Sequence, residues 1–349
     1  MTTDWKTYLK AQGTVYQEEP LTGFYKIPRT MGENTVTVIS SRRLIRIDGT
    51  DRQGFLQGQI STHMLQLAYH QHSSGVACSP KGRMYTNFRI MNDGEEGYLL
   101  AMNSGLTETT LKTLKKYAVF FKVTLSLQPE YLTLGLSGDK ITSILTNIFP
   151  NLSLPKQNEV IKISSNGYLI KVPGIRIRYE IWLHQDDLPL LWPKLTKALI
   201  PATDDFWELL NIESVIPGLR KETIDKYLPQ HLNQPSLGGV SFRKGCYTGQ
   251  EIVMRMQNLG QQKSRCYRLT LNDAEEPDIN TRLYNSDSKP IGEVIQRVRN
   301  IETGNVELLA VIRIETAKAN NVFLDTEKNH QLQVHQLPYI IDTKAELQK

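Results

Sequence analysis

The stretch at residues 243–260, RKGCYTGQEIVMRMQNLG, places a cysteine directly before a predicted helix. Thr248 and Glu251 have the spacing of a capping box, in which each side chain satisfies a free amide at the helix start. Gly260 is predicted to lie just beyond the end of this helix. A helix start explains Tyr247, Thr248 and Glu251. It leaves unexplained five residues of the stretch, namely Lys244, Gly245, Cys246, Gly249 and Gln250.

Cys246 is the candidate for chemistry in this stretch. It precedes the predicted cap by two residues and follows Arg243 and Lys244, and both a helix N-terminus and basic neighbours favour thiolate over thiol. A lone cysteine can equally be a small buried apolar residue, so local chemistry leaves both interpretations open. Cys78 and Cys266 lie among strand-forming residues and are predicted to pack in a core.

The composition is that of an ordinary soluble protein of two or three domains. The chain has 349 residues, of which 40% are hydrophobic and 22% charged. Three cysteines cannot form a disulfide framework, and their spacing does not suggest zinc. The N-terminus lacks the apolar run of a signal peptide, and no segment approaches the roughly 20 apolar residues that span a membrane. We therefore expect a cytoplasmic protein.

The charge balance permits an anionic partner without requiring one. The net charge is +5. The basic residues form small clusters, which are typical of solvated faces unless folding unites them into a nucleic-acid surface. The clusters are Arg42, Arg43 and Arg46; Lys112, Lys115 and Lys116; Lys171, Arg176 and Arg178; Arg297 and Arg299.

Hydrophobic periodicity predicts an α+β body followed by an all-β region. Residues 35–49 are predicted to form two paired strands, and residues 50–62 and 107–118 to form helices. Two strands within residues 75–91 are joined at a Pro-Lys-Gly turn. After residue 260, short strands separated by turn residues and no convincing helix predict a β-barrel or sandwich of about 85 residues.

A further predicted helix, at residues 203–217, begins at Thr203 and carries Trp207 and Glu213. Glu213 shares a face with the apolar Phe206 and Leu210. It is therefore either a boundary residue or a pocket acid beside a Trp207 wall. His70 and His72 have the spacing of metal ligands, but no third ligand follows, so a turn is favoured and no metal is predicted.

The sequence resembles the YgfZ-type folate-binding proteins, relatives of the glycine-cleavage T-protein, an aminomethyltransferase. The signature of that group, K-G-C-Y-x-G-Q-E, is present without departure at residues 244–251. The resemblance covers roughly residues 35–340 and an eight-residue motif is specific. Further family-like segments are FLQGQIST (55–62), CSPKGRMYTNFRI (78–90), LKKYAVFFKVTL (114–125), LGGVSFRKG (237–245) and LPY (337–339).

The resemblance implies a T-protein-like ring of two ferredoxin-like α+β units and a C-terminal β-barrel, with domains at 1–140, 141–260 and 261–349. It also implies tetrahydrofolate, or a one-carbon derivative, in a central cavity. Trp207 and Glu213 align with folate contacts of the family, whereas Arg42 stands where the family has a second tryptophan. An arginine there can still stack on a ring or pair with a glutamate tail.

For function, the resemblance implies an accessory protein for the assembly or repair of iron–sulfur enzymes, including a tRNA methylthiotransferase. Cys246 would be its reactive thiol, with Lys244 beside it. One alternative is a true aminomethyltransferase, a reaction that needs no thiol. Another is a direct tRNA-binding module, which rests only on the mild basic balance. We expect a monomer, and the sequence leaves open whether it is an enzyme.

Overall fold

The computed structural model describes residues 4–16, 21–24, 28–94, 97–259, 262–272 and 274–347. Gly260, the predicted helix stop, lies outside these ranges. The first half of the chain contains α1 (Trp5–Ala11), β1 (Thr14–Tyr16), β2 (Leu21–Phe24), β3 (Thr35–Val38), β4 (Arg42–Asp48), α2 (Arg52–Gln59), β5 (Gln71–Cys78), β6 (Met84–Asn92), β7 (Gly97–Asn103), α3 (Ser104–Ala118) and β8 (Thr124–Gln128).

The rest of the chain completes the body and then forms the C-terminal region. The body elements are β9 (Tyr131–Ser137), α4 (Ile141–Ile148), β10 (Val160–Ser164), β11 (Gly167–Val172), β12 (Arg178–His184), α5 (Leu188–Thr196), β13 (Ile200–Ala202), α6 (Asp204–Glu213) and α7 (Gln250–Leu259). The C-terminal elements are β14 (Ser264–Leu271), β15 (Arg282–Tyr284), β16 (Pro290–Arg299), β17 (Val306–Arg313), α8 (Ile314–Lys318), β18 (Val322–Phe323), β19 (Gln331–Val334) and α9 (Thr343–Glu346).

Apart from the β1–β2 hairpin, the described strands form two open sheets and a closed barrel, which confirms the α+β prediction. The open sheets have the orders β5-β6-β7-β4-β8 and β10-β11-β12-β9-β3-β13. The barrel runs β14-β17-β16-β15-β18-β19, so the barrel alternative is correct, although the short helix α8 interrupts its strands. The sheets interleave along the chain, because β3 and β9 lie within the range 1–140 but pair in the six-stranded sheet. The domain boundaries themselves stay a prediction.

The predicted pairing of the strands within residues 35–49 is wrong. β3 pairs with β9 and β13, whereas β4 pairs with β7 and β8 in the other sheet. The chain changes sheets at Ser40 and Ser41, whose amides and hydroxyls donate to the carboxylate of Asp204. The alternation of apolar residues correctly predicts two strands, but it does not determine which strands pair with each other.

Alternation along the six-stranded sheet decides what faces the centre of the molecule. Leu132, Leu134 and Leu136 of β9 join a core with α1, α4 and α5 on one face. Side chains of the alternate positions point to the other face, towards α6 and the five-stranded sheet. On β12 these inward positions are Arg178, Glu180 and Trp182, so the sheet presents a charged pair to the interior.

Candidate functional site

Trp207 lines the interior cavity from α6, which packs between β3 and the barrel strands β16 and β17. Its ring covers Gly135 so closely that a Cβ there would lie 2.4 Å from ring atom Cε3. The indole Nε1 is buried and has no hydrogen-bond partner among the described residues. Because buried donors are normally satisfied, this N–H marks a place for a ligand acceptor or a water molecule.

The inner chamber beside Trp207 has a volume of about 150 Å³. Arg42 also lines it, so the structure brings together two of the predicted folate contacts that lie 165 positions apart. The other polar residues in its wall were not predicted from sequence as site residues. They are Ser41, Ser74, Asn87, Arg89, Asn103, Arg178, Glu180, Asp204, Glu208, Asn211, Arg220, Gln234 and Gln296.

Three guanidinium groups of this wall, those of Arg42, Arg89 and Arg178, form what we call the arginine cluster. Arg42 Nη1 lies 2.6 Å from Glu180 Oε1. Arg178 donates through Nε to the Pro173 carbonyl at 2.7 Å, and its guanidinium carbon lies 5.1 Å from the centre of the Trp207 ring. Among the described residues the cluster's close ion pair is the one with Glu180, so three guanidiniums face one paired carboxylate and positive charge is in excess.

The ionisation of the cluster follows from burial and from these neighbours. Burial raises the pKa of Glu180, but the guanidiniums of Arg42 and Arg89 and the Trp182 indole N–H outweigh it and hold that pKa at about 2. Burial lowers the pKa of Arg178 to about 9. At neutral pH the carboxylate is therefore ionised, and the cluster favours an anionic or acceptor-bearing ligand.

The carboxyl group of Asp204 also lines the inner chamber, and burial raises its pKa to about 6 despite hydrogen bonds that lower it. Both of its oxygens already accept from Ser40 and Ser41. These bonds fix the start of α6 to the point where the chain changes sheets. Asp204 therefore has a structural role, because it joins the start of α6 to Ser40 and Ser41.

Glu213 lies apart from the inner chamber. Its Oε2 is 3.4 Å from Arg176 Nε, and it is absent from the chamber wall. Glu208, next to Trp207 in sequence, lines the wall instead and accepts from Arg220 and, at 2.7 Å, from Gln296 of the barrel. Glu213, the acid singled out from the sequence, thus lies about one and a half helical turns after Glu208 on α6.

An outer chamber of about 750 Å³ adjoins the inner one. Lys171, Arg176, Gln157 and Asn158 contribute to its wall. The two chambers share part of their walls and therefore lie side by side, and we call them together the cleft. The shared residues are Ser74, Arg89, Val172, Pro173, Ile216 and Leu237.

Residues 244–251, which we call the signature loop, form a separate region that lines neither chamber. Its helix, α7, begins at Gln250 rather than directly after Thr248, so the predicted capping box is wrong. The Thr248 amide donates to the Gly58 carbonyl of α2 at 3.2 Å, and Gly249 takes the turn with φ of +83°. A Cβ on Gly249 would lie 2.4 Å from the Ser79 carbonyl oxygen, which explains the glycine. Glu251 is exposed.

Lys244 points inward while Gly245 and Cys246 are exposed. The Lys244 ammonium donates to the carbonyls of Ile60 and Thr62 and lies 5.0 Å from the centre of the Tyr247 ring. Burial lowers its pKa to about 7. The buried Lys244 side chain therefore holds the signature loop against the backbone at Ile60 and Thr62. The exposure of Cys246 removes the small-buried-residue interpretation.

Cys78 and Cys266 are buried, as predicted. Burial raises the pKa of the Cys78 thiol to about 12 and that of Cys266 well above its usual range. The described residues hold no group of three or more His, Cys, Asp or Glu side chains placed to bind a metal ion. No helix in the described ranges is both long and apolar enough to cross a lipid bilayer.

A short segment, residues 234–248, joins the cleft to the exposed thiol. Gln234 and Leu237 line the inner chamber. Further along, the Ser241 amide donates to the Ser61 carbonyl at 3.1 Å, and Lys244 donates to Thr62, whose hydroxyl donates to the Ser74 carbonyl at the chamber wall. The segment therefore touches both regions through hydrogen bonds.

Comparisons with known proteins agree with this architecture, although no family model matches the sequence. The chain is 30% identical over 312 residues to the tRNA-modifying protein YgfZ of Shigella sonnei, covering 88% of this chain and 94% of that protein. YgfZ of Escherichia coli strain K12 / DH10B gives the same identity and coverage. The glycine cleavage system aminomethyltransferase T from Bartonella henselae aligns with a TM-score of 0.72 and 14% identity over 89% of this chain and 88% of that one, which confirms the T-protein-like fold. The chain belongs to the family of the tRNA-modifying protein YgfZ.

Proposed function

We propose that this protein is a tetrahydrofolate-binding accessory protein for the assembly or repair of iron–sulfur enzymes, and that it thereby affects tRNA modification, including methylthiolation. The observation that carries the proposal is the separation of two regions. A polar, tryptophan-lined cleft lies inside the molecule, while the Cys246 thiol is exposed outside it. Ligand binding and thiol chemistry are therefore assigned to different residues.

The residues of the inner chamber suit a pterin ring. Such a ring has a flat face and an edge with both donors and acceptors. Trp207 offers an aromatic wall and a free N–H, and Glu208 offers a carboxylate to the amino edge. Arg42 contributes positive charge where the family has a second tryptophan. When bound, tetrahydrofolate would supply either a one-carbon unit or a conformational signal.

The exposed thiol suits a partner rather than a resident cofactor. A thiolate is a soft metal ligand and a nucleophile, so Cys246 can contact iron, sulfide or the cluster ligands of a client. One thiolate is far short of the usual four ligands of an iron–sulfur cluster, which the client enzyme would complete. Residues 234–248 would carry a change in the cleft to the thiol. We expect a cytoplasmic monomer.

The alternatives fit the observations less well. Aminomethyl transfer needs no thiol, so the cysteine of the signature at residues 244–251 argues against it. Direct tRNA binding needs a compact basic face. Instead, Arg42 lines the cleft, Arg46 pairs with Asp93, and the Arg297 and Arg299 cluster pairs with the acids Glu276 and Asp278.

Titration with tetrahydrofolate, followed by tryptophan emission and calorimetry, tests the ligand. We expect quenching that is strongly reduced in Trp207→Phe and unchanged in Lys115→Gln, a matched change on the exposed face of α3. An assay with an aminomethyl-lipoyl carrier tests the transferase, and we expect neither ammonia nor methylene-tetrahydrofolate. Absence of binding by any reduced folate would overturn the proposal, and turnover would favour the transferase.

A further inference from the structure

The turn after α3 holds large apolar side chains in solvent. Val119 is 74% and Phe120 is 81% exposed. The next residue, Phe121, packs edge-on against Phe55 of α2, with the ring centres 5.4 Å apart. Phe121 thus fixes the turn to the body of the protein, while the two residues before it stay outside. Exposed apolar side chains that cluster in this way mark interaction sites.

The helix α2 joins this turn to the signature loop. At its start, the Asp51 amide donates to the Lys122 carbonyl at 3.3 Å, and the Lys122 amide donates to Asp51 Oδ2 at 2.8 Å. At its end, the Gly58 carbonyl accepts from the Thr248 amide, two positions after Cys246. The helix rises only about 10 Å between these two ends, whereas a standard interface is roughly 30 Å across. One partner can therefore cover both the apolar turn and the thiol.

The outer side of α2 between these ends is open. Gly54 is exposed, and a Cβ on Gly54 or Gly58 would meet nothing within 4 Å. Leu65, which is 64% exposed, adds a further apolar side chain beside α2, because the Gln57 side chain accepts from the amide of neighbouring Met64 at 2.8 Å. Within the described ranges, a partner on this side therefore meets an unobstructed helix.

The charges on this surface are mainly basic. Lys115, Lys116 and Lys122 are exposed around the apolar turn, and Arg243 is exposed directly before the signature loop. None of these four residues forms an ion pair with a described carboxylate, since Asp51 turns its carboxylate to the Lys122 amide. Complementary charges speed and orient association, so this surface fits an acidic partner.

We propose that the surface formed by α2, the turn at residues 119–121 and the signature loop is the docking surface for the client protein, which binds it through an acidic segment that also carries apolar side chains. The inference rests on the proposed function, in which a client meets Cys246. The apolar groups of the client would cover Leu65, Val119 and Phe120, and its carboxylates would pair with the lysines. A protein fits better than a nucleic acid, because the aliphatic Leu65 and Val119 offer no flat face on which a base can stack.

Complementation of a deletion strain tests the apolar part of the surface. Val119→Ser with Phe120→Ser should lower tRNA methylthiolation at least about fivefold, since a few anchoring side chains carry most of the binding energy of an interface. The purified variant should keep its tetrahydrofolate affinity and its Cys246 alkylation rate within about twofold of wild type. The control, Leu190→Ser with Ile340→Ser, changes two similarly exposed apolar residues elsewhere and should restore methylthiolation fully.

Charge reversal and crosslinking test the chemistry of the partner. Lys115→Glu with Lys116→Glu should also lower methylthiolation, whereas Lys194→Glu with Lys197→Glu, which changes two exposed lysines at the end of α5, should not. With p-benzoylphenylalanine in place of Phe120, irradiation of cells should crosslink the protein to a segment of an iron–sulfur protein that is rich in aspartate and glutamate. Mass spectrometry of the crosslinked peptide identifies that segment.

The outcomes separate this inference from the proposed function. If the wild-type gene does not restore methylthiolation, the proposed function fails and the docking surface with it. If the wild type and the Val119 and Phe120 variant restore it equally, the docking surface is wrong and the proposed function stands. Crosslinks from position 120 to RNA, to a basic segment or to a second copy of this chain would likewise overturn the docking surface alone.

Discussion

The cleft around Trp207 and the loop around Cys246 use buried charged side chains in different ways. In the cleft, β4, β6 and β12 place three arginines and one glutamate in the interior, so this group carries excess positive charge. In the loop, Lys244 turns inward onto backbone carbonyls so that its neighbour Cys246 stays outside. Buried charge thus lines a cavity in one region, and in the other it holds a loop whose cysteine is exposed.

Thiol labelling should show the largest difference between the two regions. Cys246 in the native protein should alkylate at least about a hundredfold faster than Cys78 and Cys266, because the thiolate is the reactive form and burial raises the pKa of both other thiols. Mass spectrometry after iodoacetamide treatment counts the sites. Cys246→Ser should leave no fast site, and equal rates at the three cysteines would contradict the account.

Removal of the buried carboxylate tests the cleft. Glu180→Gln should lower the free energy of unfolding by about 3 kcal/mol, since it leaves guanidiniums buried without their counter-charge. Urea unfolding measures the loss. The control, Glu315→Gln, should cost less than about 1 kcal/mol because both side chains of its pair with Arg313 are exposed, at 79% and 57%. Similar costs for the two variants would argue against a buried charge cluster.

The same carboxylate predicts a pH dependence. The pKa of Glu180 is lowered from 4.5 to about 2, so its contribution is present above pH 4.5 and is lost as the pH falls towards 2. In the wild type this loss should approach about 3 kcal/mol. Glu180→Gln should lack that part of the acid dependence, whereas an unchanged acid profile would show that Glu180 is not ionised in the fold.

Two glycines give a smaller, matched contrast. Gly135→Ala should cost about 1–3 kcal/mol and weaken folate binding, because its methyl group would displace the Trp207 ring. Gly245→Ala should be nearly neutral for stability, since a Cβ there meets nothing within 4 Å. Thermal unfolding and folate titration of both variants check this. A neutral Gly135→Ala would mean that Trp207 is not held against β9.

The two regions also differ in how much could be predicted from sequence. The signature loop is contiguous, so its thiol and helix were recognised directly, and only the start of α7 at Gln250 was placed wrongly. The helices and strands followed from periodicity. Strand partners did not, because β3 and β4 enter different sheets, and the contact of Asp204 with Ser40 and Ser41 at this point joins residues distant in sequence.

The cleft was predicted only where the family resemblance pointed, at Arg42 and Trp207. Arg178 and Glu180 lie at alternate positions of the strand RYEIWLH, and two charged residues on one face of an otherwise apolar strand were a usable signal of a buried polar site. Arg89 gave a similar signal on β6. Their meeting with α6 depends on tertiary packing, which no local pattern encodes.

The Cys246→Ser variant is the strongest test of whether folate binding and thiol chemistry reside in separate regions of the protein. The variant keeps the shape of the side chain but removes an accessible thiolate. In a deletion strain it should fail to restore tRNA methylthiolation, while the purified protein should bind tetrahydrofolate within about twofold of wild type. Loss of folate affinity together with complementation would make Cys246 part of the folate site and contradict the account.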